Sequence, residues 1–489
     1  MHCHRYESAQ TRRDFLLKTG LGLGTAALAQ LLRGAAPVTP SPRLPLSPSP
    51  LGGLPGLPHF APKAKRVICL FQSGGPSHLD LFDDKQVLRD RFNEDLPDSI
   101  RRGQRITGMV ASQARLAVQP SKWSFSPGGK SGLLISDLMP HTRAIADELC
   151  VIRSMHTEAI NHDPAITFFQ TGSQQPGRPS MGAWTDYGLG QLNDNLPSFV
   201  VLVSVNKKNS GQGLLARLWG SGFLASKHQG VQFRSAGEPV LYLNDTPGIT
   251  RERRRLMLDG IAELNRQQHA AVGDPEIETR IIQGEMAYRM QRSVPELMDL
   301  AGESAPVLES YGPDVNEPGS FARNCLLARR LAERGVRFIQ LYHRDWDHHG
   351  GLQDRLPSMA RDTDQPSAAL IRDLKQRGLL DDTLVIWGGE FGRTPYAQGE
   401  ASREKYGRDH HGKAFSLWMA GGGVKGGMVH GATDDFGFNV TENPVHVHDL
   451  QATILHCLGI DHTRLTYRFQ GRQYRLTDVH GEVVKAILA

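Results

Sequence analysis

The sequence has few cysteines, and none of them has the spacing of a metal-binding or redox motif. There are five in 489 residues, at positions 3, 69, 150, 325 and 457. So few cysteines exclude a disulfide-stapled scaffold, and the absence of a CxxC pair argues against a zinc knuckle or a thioredoxin-like site. Cys69 and Cys150 lie in strand-like runs, and Cys325 and Cys457 lie in helix-like segments. We expect these four to be buried free thiols that pack as small hydrophobic residues.

The sequence also lacks a strong charge of either sign. It has 56 Lys and Arg against 51 Asp and Glu, a net charge of +5, and 39% of its residues are hydrophobic. Residues 1–29 carry four basic and two acidic residues, so +3 remains for the rest of the chain. Nucleic-acid-binding proteins concentrate Lys and Arg on one face, and we therefore expect no nucleic-acid partner. The composition is that of a globular protein long enough for one large α/β domain or two to three ordinary domains.

No apolar run is long enough to cross a membrane, although one near the N-terminus resembles an export signal. Arg12 and Arg13 precede an apolar, Gly- and Ala-rich run at residues 20–32. A bilayer needs about 20 apolar residues, so the pattern favours a cleaved twin-arginine signal over an uncleaved anchor, which is the alternative. We predict a signal peptide at residues 1–36, the twin-arginine export machinery as a partner, and a periplasmic or extracellular protein without a stable membrane span after cleavage.

The rest of the chain divides into a linker and one α/β domain. Residues 37–64 are rich in proline and are typical of an extended linker. Residues 65–489 alternate between apolar runs of strand length and segments of helical period, with a predicted insertion of helices and loops at 204–320. The predicted strands are 67–71, 149–152, 199–203, 336–341, 384–387 and 415–419. The predicted helices are 140–148, 253–268, 276–292, 321–334, 366–377 and 447–458. Several strands are apolar throughout, which predicts a doubly wound, mostly parallel sheet with helices on both faces.

Acidic residues and histidines follow several of the predicted strands. In doubly wound sheets ligands bind at the carboxyl ends of the strands. Asp347 and His349 follow one strand, Glu390 follows the next, and Asp409 and His410 lie shortly before the last. Each motif alone is consistent with a solvated polar loop, but together they predict a site for a divalent metal ion, since carboxylate oxygens and imidazole nitrogens are common ligands.

Arg393 lies three residues after Glu390. A guanidinium group can bind an anionic substrate through two parallel hydrogen bonds, and a surface ion pair is the alternative role.

Several motifs resemble the sulfatase and alkaline phosphatase superfamily. Residues 381–390, Asp-Asp-Thr-Leu-Val-Ile-Trp-Gly-Gly-Glu, resemble its strand that ends in a metal-binding acid, and residues 447–455 resemble its Asp-Leu-x-x-Thr-Leu-Leu helix. More closely, Gly-Gly-Pro-Ser-His-x-Asp, Trp-Asp-x-His, Glu-Phe-Gly-Arg-Thr and Asp-His-His-Gly occur in the order typical of a sulfatase-like family, number 1501 among the domains of unknown function. The resemblance covers residues 65–485. It implies an alkaline phosphatase/sulfatase-like fold, with Asp347, His349, Glu390 and His410 as metal ligands.

The sequence departs from sulfatases at the catalytic nucleophile. In the same register as the sulfatase Cys-x-Pro-Ser-Arg segment, this chain has His162 at the nucleophile position and Ile166 at the arginine position. Histidine has neither thiol nor hydroxyl, so formylglycine chemistry is excluded at this position. The acidic pair that the superfamily has after its first strand is also missing, and Asp80 or His78 are the candidates to replace it.

The sequence thus predicts an exported, metal-dependent hydrolase of phosphate or sulfate esters that lacks the formylglycine nucleophile. The predicted substrate is an anionic ester, such as a sulfated or phosphorylated polysaccharide, and the predicted cofactor is a divalent ion: Zn, Mn, Ca or Mg. The predicted catalytic residues are His162, Asp163 and Arg393, and the predicted metal ligands are Asp80, Asp347, His349, Glu390, Asp409 and His410. Histidine can act as a nucleophile or a general base. The alternatives are that His162 and Asp163 are further metal ligands, that the site is vestigial, or that the chain is a non-catalytic envelope or glycan-binding protein.

Overall fold

The computed structural model describes residues 52–205, 213–234, 237–241, 243–245 and 248–489. The predicted signal peptide and the first part of the predicted linker lie outside these residues. Residues 51–489 form one compact unit. The described end of the linker lies against this unit, because the Leu54 amide donates to the carbonyl of Gly188 and the His59 amide donates to the carbonyl of Gly459.

A mostly parallel sheet of nine strands forms the centre of this unit, and the other described strands form four two-stranded sheets. The strands are β1 (Arg66–Gln72), β2 (Phe125–Gly128), β3 (Leu133–Ser136), β4 (Cys150–His156), β5 (Phe199–Val203), β6 (Val231–Phe233), β7 (Phe338–His343), β8 (Thr383–Gly388), β9 (Gly392–Ala397), β10 (Arg408–His411), β11 (Phe415–Ala420), β12 (Met428–His430), β13 (Ala432–Thr433), β14 (Val440–Glu442), β15 (Val445–His446), β16 (Tyr467–Phe469) and β17 (Arg472–Tyr474). The central sheet has the order β12-β4-β11-β8-β1-β7-β5-β6, with β15 also paired to β4. Within it only β11 runs antiparallel to its neighbours. The other strands therefore end at the same edge.

The described residues form twelve α-helices, and several of these cover the two faces of the sheet. The helices are α1 (His78–Leu81), α2 (Gln86–Asp90), α3 (Asp98–Arg101), α4 (Pro140–Arg143), α5 (His162–Thr171), α6 (Met181–Leu189), α7 (Arg251–Val272), α8 (Pro275–Met298), α9 (Ala305–Tyr311), α10 (Phe321–Glu333), α11 (Leu352–Gln376) and α12 (Val447–Cys457). Short 3-10 helices lie at Ala146–Glu148, Ala216–Trp219, Ser226–His228, Pro313–Asn316, Leu380–Asp382 and Lys485–Ile487.

The fully apolar strands bury side chains on both sides of the sheet, and this explains the two-sided core. On β1, Ile68 and Leu70 pack into one core with α10 and α11. The alternate residues Val67, Cys69 and Phe71 pack into a second core with α5, α6 and α12. Successive side chains of a strand point to opposite faces, so a strand without polar alternation needs cover on both. The predicted doubly wound α/β fold is confirmed.

The elements agree with the sequence prediction in most places. The strand at Phe199–Val203 has the predicted bounds, and the predicted helix at 366–377 is the second half of α11. The prediction omitted α5, which carries His162 as its first residue. The four described cysteines are free and buried, as predicted. No helix in the described part of the chain is both long and apolar enough to span a membrane.

Candidate metal centre

The predicted site residues reach one edge of the sheet from different parts of the chain. Asp347 and His349 lie in the loop after β7, and Glu390 lies in the short segment after β8. His162 begins α5, which follows β4, and His410 lies on β10 of the β9–β10 hairpin. Since β4, β7 and β8 point in the same direction, their following segments converge beyond the same edge.

Four of these side chains form a compact cluster, which we call the His162 cluster: His162, Asp347, His349 and His410. One ligand-type atom of each lies within 4.8 Å of the others. Oδ1 of Asp347 is 3.2 Å from Nε2 of His162, 2.8 Å from Nε2 of His349 and 3.3 Å from Nε2 of His410. The Nε2 atoms of His349 and His410 are 2.9 Å apart. In the described residues this is the one group of three or more such side chains close enough to hold a metal ion.

The other ring nitrogen of each histidine has a hydrogen-bond acceptor. Nδ1 of His162 is 2.6 Å from Oε1 of Glu390, and Nδ1 of His410 is 2.7 Å from the carbonyl oxygen of Ile160. Nδ1 of His349 contacts Oε1 of Gln398. Each Nδ1 thus has an acceptor for its proton, so each Nε2 faces the cluster and can offer its lone pair to a metal ion. Three lone pairs and a carboxylate oxygen repel one another unless a cation or protons lie between them.

The pKa values reflect this crowding. Burial alone would lower the pKa of His162, but its hydrogen bonds with Asp347 and Glu390 outweigh burial and raise the pKa to about 9. Burial would raise the pKa of Asp347, but its close contacts with His162, His349 and His410, together with the charge of Arg393, hold the pKa far below its usual range. Burial lowers the pKa of His410 to about 4. Without a metal ion, His162 therefore carries a positive charge at neutral pH, next to two carboxylates.

Glu390 lies outside the cluster and orients it. Its carboxylate is buried, accepts a hydrogen bond from Nδ1 of His162, and accepts the backbone amide of Gly74 at 3.0 Å. A carboxylate that holds the outer nitrogen of a ligating histidine fixes the ring orientation and raises its basicity as a ligand. The structure thus places Glu390 behind His162.

Arg393 is buried among backbone carbonyls. Its guanidinium donates to the carbonyl of Gly75 at 2.9 Å, to that of Arg408 at 3.1 Å and to that of Gly74, and Nη2 is 2.7 Å from Oδ1 of Asp347. Its side chain is 1% exposed. In this arrangement the guanidinium holds Asp347 and the loop after β1 in place.

The carboxylates of Asp80 and Asp409 are not part of the His162 cluster. Asp80 forms a fully buried ion pair with Arg408, with Nε of Arg408 2.7 Å from Oδ2 of Asp80. Asp409 accepts the hydroxyl of Thr107. Both carboxylates therefore have structural partners outside the His162 cluster.

Asp163 follows His162 and points to the surface. Its side chain is 66% exposed and forms an ion pair with Arg217. Gln398 contacts His349 from the segment after β9 and was not predicted from the sequence. No motif marks a lone glutamine in a polar loop, so this contact could be found only from the fold.

Among the solved structures to which the chain is similar are three hydrolases. The phosphonate monoester hydrolase from Silicibacter pomeroyi has 12% sequence identity and a TM-score of 0.33, with 87% of this chain and 76% of that chain covered. The alkaline phosphatase from the Antarctic bacterium TAB5 has 11% identity and a TM-score of 0.33, with 81% and 98% covered. The PsFucS1 sulfatase from Pseudoalteromonas sp. has 12% identity and a TM-score of 0.32, with 81% and 68% covered.

The family of the chain is shown by its sequence. A search of the curated proteins found no match. The family described as protein of unknown function DUF1501 matches residues 64–488, which include all of the His162 cluster and both of its buried supporting side chains, Glu390 and Arg393. The chain therefore belongs to the DUF1501 family, as the order of its motifs predicted.

Proposed function

We propose that this protein is a metal-dependent hydrolase of phosphate or sulfate esters, centred on the His162 cluster. The observation that carries the proposal is the convergence of three Nε2 atoms and one carboxylate oxygen, with each Nδ1 bound to an acceptor. The resemblance of the sequence motifs to the sulfatase and alkaline phosphatase superfamily supports the reaction class.

The donor set fits a divalent ion. Zinc–ligand bonds of about 2.0–2.2 Å in tetrahedral geometry place the ligand atoms about 3.4 Å from one another. The contacts of 2.8, 3.2 and 3.3 Å between Asp347 and the three histidines are close to this spacing. Three imidazoles and one carboxylate suit zinc better than calcium or magnesium, which prefer oxygen ligands. We therefore propose zinc as the first ion to test, with manganese second.

In the proposal the cluster binds the ion, and the surrounding residues hold its ligands. Because the four side chains fill a tetrahedral shell, a divalent ion there would take an ester oxygen or a water molecule as a fifth ligand. It would then stabilise charge on that oxygen or lower the pKa of the water. Glu390 fixes the ring of His162, and Arg393 fixes the carboxylate of Asp347. His162 then acts as a ligand in place of the nucleophile that sulfatases have at this position.

Substrate can approach from the partly exposed side of the cluster. The side chains of His349 and Asp347 are 26% and 22% exposed, whereas those of His162 and His410 are nearly buried. Next to His162 in sequence, Asp163 pairs with Arg217 at the surface. We propose that Arg217 can exchange this carboxylate for an anionic oxygen of the ester, as expected for a sulfated or phosphorylated polysaccharide.

The test is hydrolysis by zinc-loaded protein of aryl phosphates, aryl phosphodiesters and aryl sulfates. We expect turnover of at least one ester class by the wild-type protein, and its loss in His162→Ala and Asp347→Ala. His141→Ala is the matched control, since His141 lies outside the cluster, and it should keep wild-type activity. Metal binding without turnover of any ester would favour the non-catalytic, glycan-binding alternative. Equal turnover in all three variants would show that the active site lies elsewhere.

A further inference from the structure

Helix α7 carries an exposed apolar stripe that no described part of the chain covers. Met257, Ile261, Leu264 and Val272 are 46%, 50%, 62% and 67% exposed. Their spacing of four, three and eight residues places them on one side of a helix. Among the described residues, few large hydrophobic side chains are this exposed, and five of them, including Leu256, lie on α7.

A different side of α7 packs against the neighbouring helix. Arg254, Leu258, Ala262, Asn265 and His269 are buried or half-buried, and they also repeat every three to four residues. Leu258 lies beside Gly284 of α8, where an added Cβ would be 3.5 Å from Cδ2 of Leu258. The helix therefore has two stripes, one packed in the α7–α8 hairpin and one bare. Contiguous exposed apolar surface in a folded protein is typical of an interaction site.

The charges around the stripe argue for a protein partner. Arg254, Arg255 and Arg266 form ion pairs with Asp245, with Asp259 and Glu285, and with Glu263, respectively. Arg251 lies over the ring of Tyr288. Four of the five arginines of α7 are thus engaged within the chain, so the exposed Arg253 is the one left to attract a partner, too little positive charge for anionic lipid headgroups or nucleic acid.

We infer that the stripe is a self-association surface, on which α7 of a second copy packs in the antiparallel direction. If Leu264 lies at the two-fold axis, a residue that precedes Leu264 by some number of positions in one copy faces the residue that follows Leu264 by the same number in the other copy. Met257 then faces Ala271, and Leu256 faces Val272. Gly260, whose missing side chain leaves open space, allows the two helices to approach closely.

The same register brings opposite charges together at both ends of the contact. Arg253 is eleven residues before Leu264, and Asp274 is ten residues after it, at the turn between α7 and α8. Both side chains are exposed. With a helical rise of 1.5 Å per residue, Arg253 lies about 16–17 Å from the axis along α7, and α7 ends at Val272, about 12 Å on the other side and two residues before Asp274. Arg253 of one copy therefore meets the acidic turn of the other, twice per dimer.

The test is the molar mass of the purified full chain in sedimentation velocity at micromolar concentrations. We expect twice the chain mass of 53.9 kDa for the wild-type protein and a monomer for Leu264→Glu. Leu134→Glu is the matched control, since Leu134 is 42% exposed on β3, and it should remain a dimer. Arg253→Glu should weaken the dimer at least tenfold, and adding Asp274→Arg in the same chain should restore most of the affinity.

Cross-linking tests the register independently of dimer strength. With residue 264 at the axis, Leu264→Cys should form an intermolecular disulfide on mild oxidation, above the level of the wild-type protein, while Ala270→Cys should not. A wild-type monomer at these concentrations, or a Leu264→Glu dimer, would overturn the inference. A monomer that instead floats with lipid vesicles would assign the stripe to a membrane surface and would overturn it equally.

Discussion

Nδ1 of His162 lies 2.6 Å from Oε1 of Glu390, a contact between residues 228 positions apart that turns Nε2 of His162 toward Asp347. The contact makes Glu390 a positioning residue for the cluster. Burying a carboxylate costs free energy that an apolar side chain would not. The hydrogen bond to His162 explains why a carboxylate is nevertheless found at this position.

The first prediction concerns this contact. Glu390→Ala removes the acceptor for His162, so the ring loses its fixed orientation, and we expect metal affinity to fall by about 10- to 100-fold. Glu390→Gln can still accept the Nδ1 proton and should lose less. Competition with a chromophoric chelator measures both. Unchanged affinity in Glu390→Ala would contradict the positioning role.

The second prediction concerns Gly74, whose backbone lies against the loop that carries Asp347. Gly74 has a φ of +119°, and an added Cβ would be 2.6 Å from the amide nitrogen of Asp347. We expect Gly74→Ala to lower the free energy of unfolding by about 2 kcal/mol or more and to weaken metal binding as the loop shifts. Gly350→Ala is the matched control, because a Cβ there meets nothing within 4 Å. Urea denaturation and chelator competition distinguish the two variants, and equal behaviour would contradict the close approach.

The third prediction concerns Asp80, which the sequence analysis proposed as a metal ligand. Asp80 and Arg408 are both fully buried and paired, so Asp80→Asn leaves a buried guanidinium without its counter-charge. We expect a loss of about 3–5 kcal/mol in the free energy of unfolding, with the metal content of the folded protein unchanged. Glu296→Gln removes an exposed pair with Arg292 and should cost less than about 1 kcal/mol. Loss of metal from folded Asp80→Asn would instead assign Asp80 to the metal site.

The fourth prediction concerns pH. Burial would raise the pKa of Glu303, but hydrogen bonds from Arg329 and Arg330 outweigh it and lower the pKa below the ordinary value of 4.5. A carboxylate with a lowered pKa stabilises the folded state above its unfolded pKa, and this contribution is lost as the pH falls through its folded pKa. Glu303→Gln should therefore be less stable than the wild-type protein at pH 7, by about 1–3 kcal/mol, and the difference should shrink below pH 4.5. Urea denaturation at several pH values measures this, and a constant difference would contradict the ion-pair explanation.

The sheet could be predicted from the sequence because its strands are apolar on both faces. The run Phe199–Val203 has no polar residue to suggest another structure, and the structure gives it the predicted bounds. Helix α11 was predicted only from residue 366, since Pro357 and Pro366 both lie inside it and proline usually marks a helix start.

The site was harder to predict than the fold. Asp347 and His349 stand out because they follow a buried strand directly. The role of each histidine, however, depends on what its Nδ1 contacts, and Glu390, Gln398 and the Ile160 carbonyl come from distant parts of the chain. Sequence register alone assigned His162 to the nucleophile position of sulfatases. The contacts of its two ring nitrogens instead favour a role for His162 as a metal ligand.

Anomalous X-ray diffraction at the zinc edge, on crystals of the zinc-loaded protein, tests the central claim most directly. The metal-centre proposal predicts one strong peak about 2.0–2.2 Å from Nε2 of His162, His349 and His410 and from one carboxylate oxygen of Asp347. The peak should be absent from crystals of His349→Ala grown in the same way. A zinc-loaded crystal with no peak among these four side chains, or with an equal peak in His349→Ala, would contradict the proposed metal centre.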